Sequence, residues 1–188
     1  MSWWPPPASV SFVRADVSTT TVAGVIPVAD NPRWSLAAAL DVARSAFGID
    51  GVAAALPSER DQNVLITTAD GPSMVLKIAN VHESRQIIEA EVGAMEACRG
   101  TGLTPSVLSS TAGGPIVEID GHLVRCVTVV PGVTMARLPH RSDELLRSLG
   151  RAVGSVNAAL DGVDHPALHR HFVWDLARAP EVVAEGLH

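Results

Sequence analysis

One lysine stands out among the residues that could do chemistry. Of the 14 basic residues in the chain, only Lys77 is a lysine, and the others are arginines. Lys77 lies within an apolar stretch, residues 74–79, which predicts a strand. Surface lysines are replaced by arginine at little cost, whereas a position that needs a slim point charge keeps lysine. We therefore interpret Lys77 as a functional cation, against the alternative of a strand lysine whose stem covers apolar surface.

Two further features, a polar turn and a glutamate, are typical of sites in which a lysine binds an anion. A polar turn upstream, residues 57–62, offers backbone N–H groups and the hydroxyl of Ser58. Downstream, Glu91 falls on the apolar side of a helical pattern, where a carboxylate needs a partner, and Lys77 is the natural candidate. Glu89 is the rival carboxylate, but it lies off that side. Turn, lysine and glutamate together suit a site for nucleotide phosphates.

The elements that must position these residues alternate between strand and helix signals. Apolar stretches bounded by turn residues predict strands at residues 52–56, 64–68, 74–79, 107–110, 116–119 and 122–130. Helical spacing is found at residues 35–47, 83–99, 142–160 and, more weakly, 174–183. The polar turn therefore lies between two strands, and the lysine strand leads directly into the glutamate helix.

Composition and charge exclude several classes of protein. With 47% hydrophobic and 18% charged residues the chain is globular, and 188 residues suffice for a sizeable core. A net charge of -6 offers no basic field, which argues against a nucleic-acid partner. No apolar run approaches the ~18 residues of a membrane span, and the first residues lack the pattern of a secretory signal. Cys98 and Cys126 are predicted to be buried and reduced, in a cytoplasmic protein.

Several strings together resemble the aminoglycoside phosphotransferase and choline kinase family, which shares the protein-kinase-like fold. They are Leu-Pro-Ser-Glu-Arg-Asp-Gln-Asn at residues 56–63, Val-Leu-Lys-Ile-Ala-Asn at 75–80, Glu91 with Met95, and Thr-Val-Val-Pro-Gly at 128–132. Two last strings, His-Pro-Ala-Leu-His-Arg at residues 165–170 and Trp-Asp-Leu at 174–176, are similar to a segment of the hydroxylysine-kinase-like branch, in which such a domain can precede a class III aminotransferase. The likeness extends over roughly residues 33–183.

This resemblance implies an α+β fold. A kinase-like N-lobe, with an antiparallel sheet of about five strands and one packed helix, would be followed by the first helices of a helical C-lobe. Residues 1–30 would then be a tail or edge segment, residues 31–132 the N-lobe, and residues 133–188 the hinge and an incomplete C-lobe. Proteins of this family transfer a phosphoryl group from ATP, with Mg²⁺, to a hydroxyl of a small molecule.

The resemblance also assigns residues to the nucleotide. They are Lys77, Glu91, Ser58, Arg60, Asn63, Val129 and Val130. Lys77 would contact the phosphates, Glu91 would orient it, and Asn63 closes the phosphate-side turn. Val129 and Val130 would present hinge backbone groups to the adenine. The turn contains no glycine, in contrast to protein kinases, a departure that this family tolerates.

The residues that would complete phosphoryl transfer are missing from the expected place. The family needs an aspartate in a His-x-Asp-x-x-x-x-Asn loop and a later aspartate for magnesium. The nearest match runs from His169 to Leu176, with His171 in the base position and Leu176 in the asparagine position, and neither residue can take those roles. No catalytic residue is predicted in this chain, and the Mg²⁺ ligands are expected beyond His188.

The histidines of this segment have an alternative reading as metal ligands. His165 and His169 have the spacing of one helical face, with His171 close by. Because no cysteine, and no carboxylate beyond Asp164, completes the set, a structural or solvent-exposed role is preferred and no metal site is predicted.

Two functions from different classes follow. The first is the nucleotide-binding part of an ATP-dependent kinase that phosphorylates a hydroxyl of a small molecule. The second is a non-catalytic kinase-like remnant or a binding and regulatory module, which the missing base and metal residues favour. An unrelated α+β binding domain stays open because short motifs match by chance. Self-association is also expected, through apolar surface that a C-lobe would cover.

Overall fold

The computed structural model describes residues 31–170 and 175–186. The predicted tail segment, residues 1–30, lies outside the described residues. The described residues divide into two compact units, one with residues 31–170 and the other with residues 175–186. No helix within the described ranges is long and apolar enough to cross a membrane.

An antiparallel sheet of five strands forms the centre of the larger unit. The strands are β1 (Val52–Leu56), β2 (Gln62–Thr67), β3 (Met74–Ile78), β4 (Val117–Ile119) and β5 (His122–Thr128), in the order β1-β2-β3-β5-β4. The helices are α1 (Leu36–Phe47), α2 (Arg85–Cys98) and α3 (Asp143–Ala159) in this unit, and α4 (Ala179–Gly186) in the other. The predicted antiparallel sheet of about five strands is confirmed.

The strand predicted at residues 107–110 is reduced to a single bridge, between Val107 and Val127. Beside this bridge, the N–H of Leu108 donates to the carbonyl of Cys126 at 2.9 Å. This stretch therefore runs along the half of β5 that the short strand β4 leaves unpaired, and a turn ends it before a full strand can form.

One face of the sheet packs against α1 and forms the main apolar core. The Ser35 hydroxyl caps α1 by accepting the N–H of Ala38 at 3.1 Å, and Gly48 ends the helix with a φ of 67°. The side chains without exposed surface include Val64, Ile66, Leu76, Ile78, Val124, Cys126, Ala39 and Ala43. The two cysteines are free and buried, as predicted. Burial raises the pKa of the Cys126 thiol to about 12, so it packs as a neutral group.

The opposite face of the sheet packs against α2. Val92 of α2 forms a buried cluster there with Val107 and Val127, against which Val75 and Met95 pack. Because side chains alternate along a strand, Lys77 emerges on this same face, next to Val75 and away from the α1 core. The candidate functional lysine, Lys77, thus lies on the face of the sheet that packs against α2.

Helix α3 leaves an apolar face uncovered within its unit. The Ser142 hydroxyl begins the helix by accepting the N–H of Leu145 at 3.2 Å, as predicted. Leu146, Leu149 and Val153 are 47%, 43% and 52% exposed, and none of the α3 residues is buried. The apolar side of this amphipathic helix is therefore exposed, and no described residue of its unit buries it.

Candidate functional site

A cavity of about 650 Å³ lies between β1, β2, β3, β5, α2 and the chain that follows β5. Its lining consists of Leu56, Pro57, Asn63, Val75, Lys77, Glu91, Ala94, Met95, Pro105, Arg125, Val127, Thr128, Val129 and Val130. Five of the seven residues predicted to bind a nucleotide belong to this lining, and the exceptions are Ser58 and Arg60. The lining is mostly apolar, with its polar side chains gathered where the sheet meets α2.

A polar row crosses three adjacent strands at the polar end of the cavity. The register pairs Asn63 of β2 with Lys77 of β3, and Lys77 with Arg125 of β5. Paired residues of antiparallel strands share a face, so these side chains lie next to one another. Lys77 Nζ donates to Asn63 Oδ1 at 3.2 Å, and Asn63 Nδ2 donates to Ser58 Oγ at 3.2 Å. Ser58 therefore contacts Asn63 of the cavity lining but does not itself line the cavity.

Glu91 forms its ion pair with Arg125, which corrects the predicted pair with Lys77. Arg125 Nη2 donates to Glu91 Oε2; the Arg125 side chain is 4% exposed and that of Glu91 47%. In the described part of the chain the ammonium of Lys77 bonds to Asn63, and Glu91 acts on it only through space. Arg125 was missed from the sequence, although an arginine inside the apolar strand β5 was a usable signal.

The environment of Lys77 disfavours its positive charge. Burial lowers the pKa of its ammonium below the usual 10.5, and the neighbouring Arg125 guanidinium lowers it further, while Asp61 and Glu91 partly oppose both effects. A cation that is held in this way gains from the arrival of an anion, because a bound negative group would raise its pKa again. The row is therefore suited to a ligand that carries negative charge.

The stability of the chain is expected to depend on pH through Lys77. Because its pKa is lower in the folded chain than the unfolded value of 10.5, the charged lysine costs stability at low pH. That cost begins to fall as the pH rises through the folded pKa and is gone above the unfolded value of 10.5, where the lysine is neutral in both states. Compared with Lys77→Met, the wild-type chain should gain stability between neutral and alkaline pH, which denaturant unfolding of both proteins measures. A stability difference that does not change with pH would contradict this assignment.

The turn that precedes β2 is tied to the loop that follows β3. Arg60 Nη2 donates to Glu83 Oε2 at 2.9 Å. Asp61 Oδ1 accepts the N–H of Asn80 at 3.1 Å, and Asn80 Nδ2 donates to the carbonyl of Arg60 at 3.3 Å. Arg60 lies outside the cavity lining, and its pair with Glu83 gives it a structural task in this turn.

The segment after β5 forms the hinge side of the cavity. The N–H of Val129 donates to the carbonyl of Ser73 at 3.0 Å, which continues the pairing of β5 with the chain before β3. In the described ranges the N–H of Val130 has no hydrogen-bond partner, and Val130 is 43% exposed on the cavity side. Of the two predicted hinge residues, Val130 is the one whose N–H can serve a ligand.

No group of three His, Cys, Asp or Glu side chains within residues 31–170 and 175–186 could hold a metal ion. His169 Nε2 lies 2.5 Å from Asp164 Oδ1 at the surface, and Asp175 Oδ1 accepts the N–H of Ala177 at 3.0 Å. His171 lies outside the described residues.

Comparison with known proteins identifies the class of protein that this fold and site define. Residues 52–185 match the phosphotransferase enzyme family, and the chain belongs to that family. It is similar to a hydroxylysine kinase of Danio rerio, 27% identical over 165 residues, and to one of Bos taurus, 30% identical over 172 residues. Each match covers 79% of this chain and 46% of the relative, so the chain spans about half the length of these relatives. The resemblance to the hydroxylysine-kinase-like branch is confirmed.

Two solved structures share the fold. An amicoumacin kinase, solved with AMP-PNP and Ca²⁺, aligns with a TM-score of 0.56 and 19% identity over 68% of this chain and 40% of its own. A spectinomycin phosphotransferase, solved with ADP and spectinomycin, aligns with a TM-score of 0.50 and 8% identity over 64% of this chain and 36% of its own. These likenesses confirm the α+β, protein-kinase-like N-lobe.

Proposed function

We propose that the cavity holds the nucleotide of an ATP-dependent kinase that phosphorylates a hydroxyl group of a small molecule. The observation that carries this proposal is the position of Lys77, at the polar end of a cavity whose other walls are apolar. An apolar slot suits a purine ring, and a cation at its end suits a phosphate chain. A volume of about 650 Å³ lies in the range of small-molecule sites.

Each element of the site has a separate task in this proposal. Lys77 neutralises the phosphates, and Asn63 holds its ammonium in place by accepting its hydrogen bond. The N–H of Val130 donates to the adenine, whose faces lie against apolar side chains such as Val75 and Met95. Membership of the phosphotransferase family and the nucleotides bound by its structural neighbours support these tasks.

Magnesium, which the family implies, does not fit the residues described here. Glu91 is the one carboxylate in the cavity lining, and it is already paired with Arg125. A lone paired carboxylate is a poor magnesium site, since the ion takes several oxygen ligands in a strict geometry. We assign no step through the metal to this chain. In the proposal residues 31–132 form the nucleotide lobe and residues 133–188 are the hinge and part of a helical lobe.

A non-catalytic nucleotide-binding or regulatory module is the second candidate function. It is favoured by the lack of a metal-binding cluster within the described ranges. Phosphoryl transfer to a small-molecule hydroxyl by this chain, abolished by Lys77→Met, would exclude it. Nucleotide binding without transfer would support it.

The test of nucleotide binding is a titration of the full 188-residue chain with ADP, AMP and adenosine. Affinity should rise with the number of phosphates, because each adds negative charge beside Lys77. Equal affinity for all three ligands would contradict the assignment of the polar end to phosphates. Absence of binding by all three would contradict the nucleotide site itself.

Val130→Pro tests the adenine end of the same site. Proline has no N–H, so the variant should bind adenosine and ADP about tenfold more weakly, by the loss of one hydrogen bond that a buried acceptor needs. Val130→Ala is the matched control, because it shortens the side chain but keeps the N–H. Isothermal titration of both variants measures the difference. Equal affinities would show that this N–H does not contact the ligand.

The exposed apolar face of α3 is proposed to cause self-association of this chain. Leu146, Leu149 and Val153 form the face, and such surface is normally covered by protein. Sedimentation velocity at increasing concentration should show association, and Leu149→Glu should weaken it by placing a charge on the face. A concentration-independent monomer would contradict the proposal.

A further inference from the structure

Glu83 is a nearly buried carboxylate at a place where three parts of the chain meet. It lies in the loop between β3 and α2, and its side chain is 11% exposed. Its Oε2 atom accepts a hydrogen bond from Arg60 Nη2, in the turn before β2, at 2.9 Å. Its Oε1 atom accepts the N–H of Ser84, which precedes α2, at 3.2 Å, and lies 3.8 Å from Arg170 Nη1. One carboxylate thus contacts the turn, the start of α2 and the end of the segment 166–170.

The segment 166–170 packs against α2. A single 3₁₀ turn covers Pro166–His169, and the N–H of Leu168 donates to the carbonyl of His165 at 2.8 Å. Arg170 follows this turn directly, which brings its guanidinium to the carboxylate described above. The segment belongs to a string singled out in the sequence, and no part of the proposed function uses it.

The two arginines make the buried charge of Glu83 tolerable, because a carboxylate with little exposed surface needs cations or N–H groups around it. Arg170 is 40% exposed, so it lies on the solvent side of the carboxylate. Its removal would admit water, and the pair of Glu83 with Arg60 weakens in more polar surroundings. Arg60 depends on this pair, since its Nε atom is buried without a hydrogen-bond partner among the described residues.

The turn that Arg60 belongs to borders the candidate nucleotide site at its polar end. Pro57 and Asn63, on either side of the turn, line the cavity, and Asn63 accepts the hydrogen bond of Lys77. A shift of the turn would therefore move the groups that surround the lysine.

We propose that Glu83 is a positioning residue, through which Arg170 and the segment 166–170 hold the turn before β2 in place beside the phosphates of the ligand. The proposal rests on the proposed nucleotide site. It makes the affinity for phosphates depend on a segment that lies outside the cavity lining.

Hydrogen exchange of the full, ligand-free chain tests the hold on the turn. The reporter is the N–H of Asn80, which donates to Asp61 of the turn at 3.1 Å. Arg170→Met should speed its exchange about threefold, the effect of a partly exposed ion pair, and Glu83→Gln about tenfold, because both pairs weaken. The amides of β5 are the reference for global unfolding and should not change. A wild-type rate at Asn80 in Arg170→Met would overturn the proposal.

Three further variants separate the ion pair from other effects of the substitution. Arg170→Lys keeps the charge and should restore most of the protection. Arg147→Met removes the same charge from an exposed pair with Asp143 on α3, and should leave the exchange of Asn80 unchanged. Added to Glu83→Gln, Arg170→Met should have no further effect. A further threefold increase in that background would overturn the proposal, because Arg170 would then act by another route.

ADP and adenosine provide the measurement at the site itself. Arg170→Met should weaken ADP binding about threefold and leave adenosine binding unchanged, because the turn borders the phosphate end of the cavity. Unchanged ADP affinity, or an equal loss for both ligands, would overturn the positioning role. Absence of ADP binding by the wild type would contradict the nucleotide site, and the exchange of Asn80, which needs no nucleotide, would then decide by itself whether Glu83 connects the segment to the turn.

Discussion

Lys77→Met should weaken the binding of ADP by about 100-fold, which corresponds to ~2.7 kcal/mol for hydrogen bonds and charge contacts to phosphate. The methionine stem fills the space of the lysine stem but carries no charge. The change should leave the fold intact, because Glu91 is paired with Arg125 and not with Lys77. Only Asn63 loses a hydrogen bond, the one that Lys77 Nζ donates to it. Fluorescence titration with a labelled ADP measures the effect.

Arg85→Met is the matched control for this prediction. It removes the same charge from the same unit, but at the surface, where Arg85 Nη2 lies 3.1 Å from Glu118 Oε2 and both side chains are exposed. Because Arg85 lies outside the cavity, this change should alter ADP affinity by less than about twofold. Exposed ion pairs and distant charges contribute little to binding free energy in the presence of salt. Equal losses in both variants would mean that net charge, and not the position of Lys77, governs binding.

Leu76→Ala should lower the free energy of unfolding by about 2–5 kcal/mol, the range for cavities left in a packed core. Leu76 precedes Lys77 on β3 but points to the opposite face, where its side chain has no exposed surface and packs against the α1 core. Denaturant unfolding measures the loss. The variant therefore tests the alternation that places Lys77 on the cavity side.

Val52→Ala is the comparison for the core variant. Val52 is 73% exposed at the edge strand β1, so its truncation should change stability by less than about 0.5 kcal/mol. If both variants lost the same stability, β3 would not have the inward and outward faces that the register gives it.

Local signals predicted most of the elements. Helix α1 begins at its Ser35 cap and ends at Gly48, and β1 has the bounds that its apolar stretch predicted. Strand β2, by contrast, begins earlier than predicted, at Gln62. The side chain of Gln62 exchanges two hydrogen bonds of 2.8 Å with the backbone of Trp34, far away in sequence. A polar residue whose type predicts a turn can thus belong to a strand when backbone groups far away in sequence form hydrogen bonds with its side chain.

The chemistry of the site was easier to predict than its pairing. Lys77 was singled out by residue type and lies in the cavity with Asn63 as its partner. The choice of Glu91 between Lys77 and Arg125 depends on a cross-strand register and on burial, neither of which a linear spacing contains. The same reason applies to Arg60, whose carboxylate partner, Glu83, comes from the loop that follows β3, two strands further along the chain.

The tie between the turn before β2 and the loop after β3 has a consequence for the speed of ligand exchange. A glycine-rich flap loses conformational freedom when it closes over a nucleotide, and that loss weakens binding. Here hydrogen bonds of Asp61 with Asn80 and of Arg60 with Glu83 hold the turn in place without a ligand, so we expect less of this entropy to be lost on binding at the proposed site. For a nucleotide at the proposed site, we therefore expect the association rate not to be limited by closure of this turn.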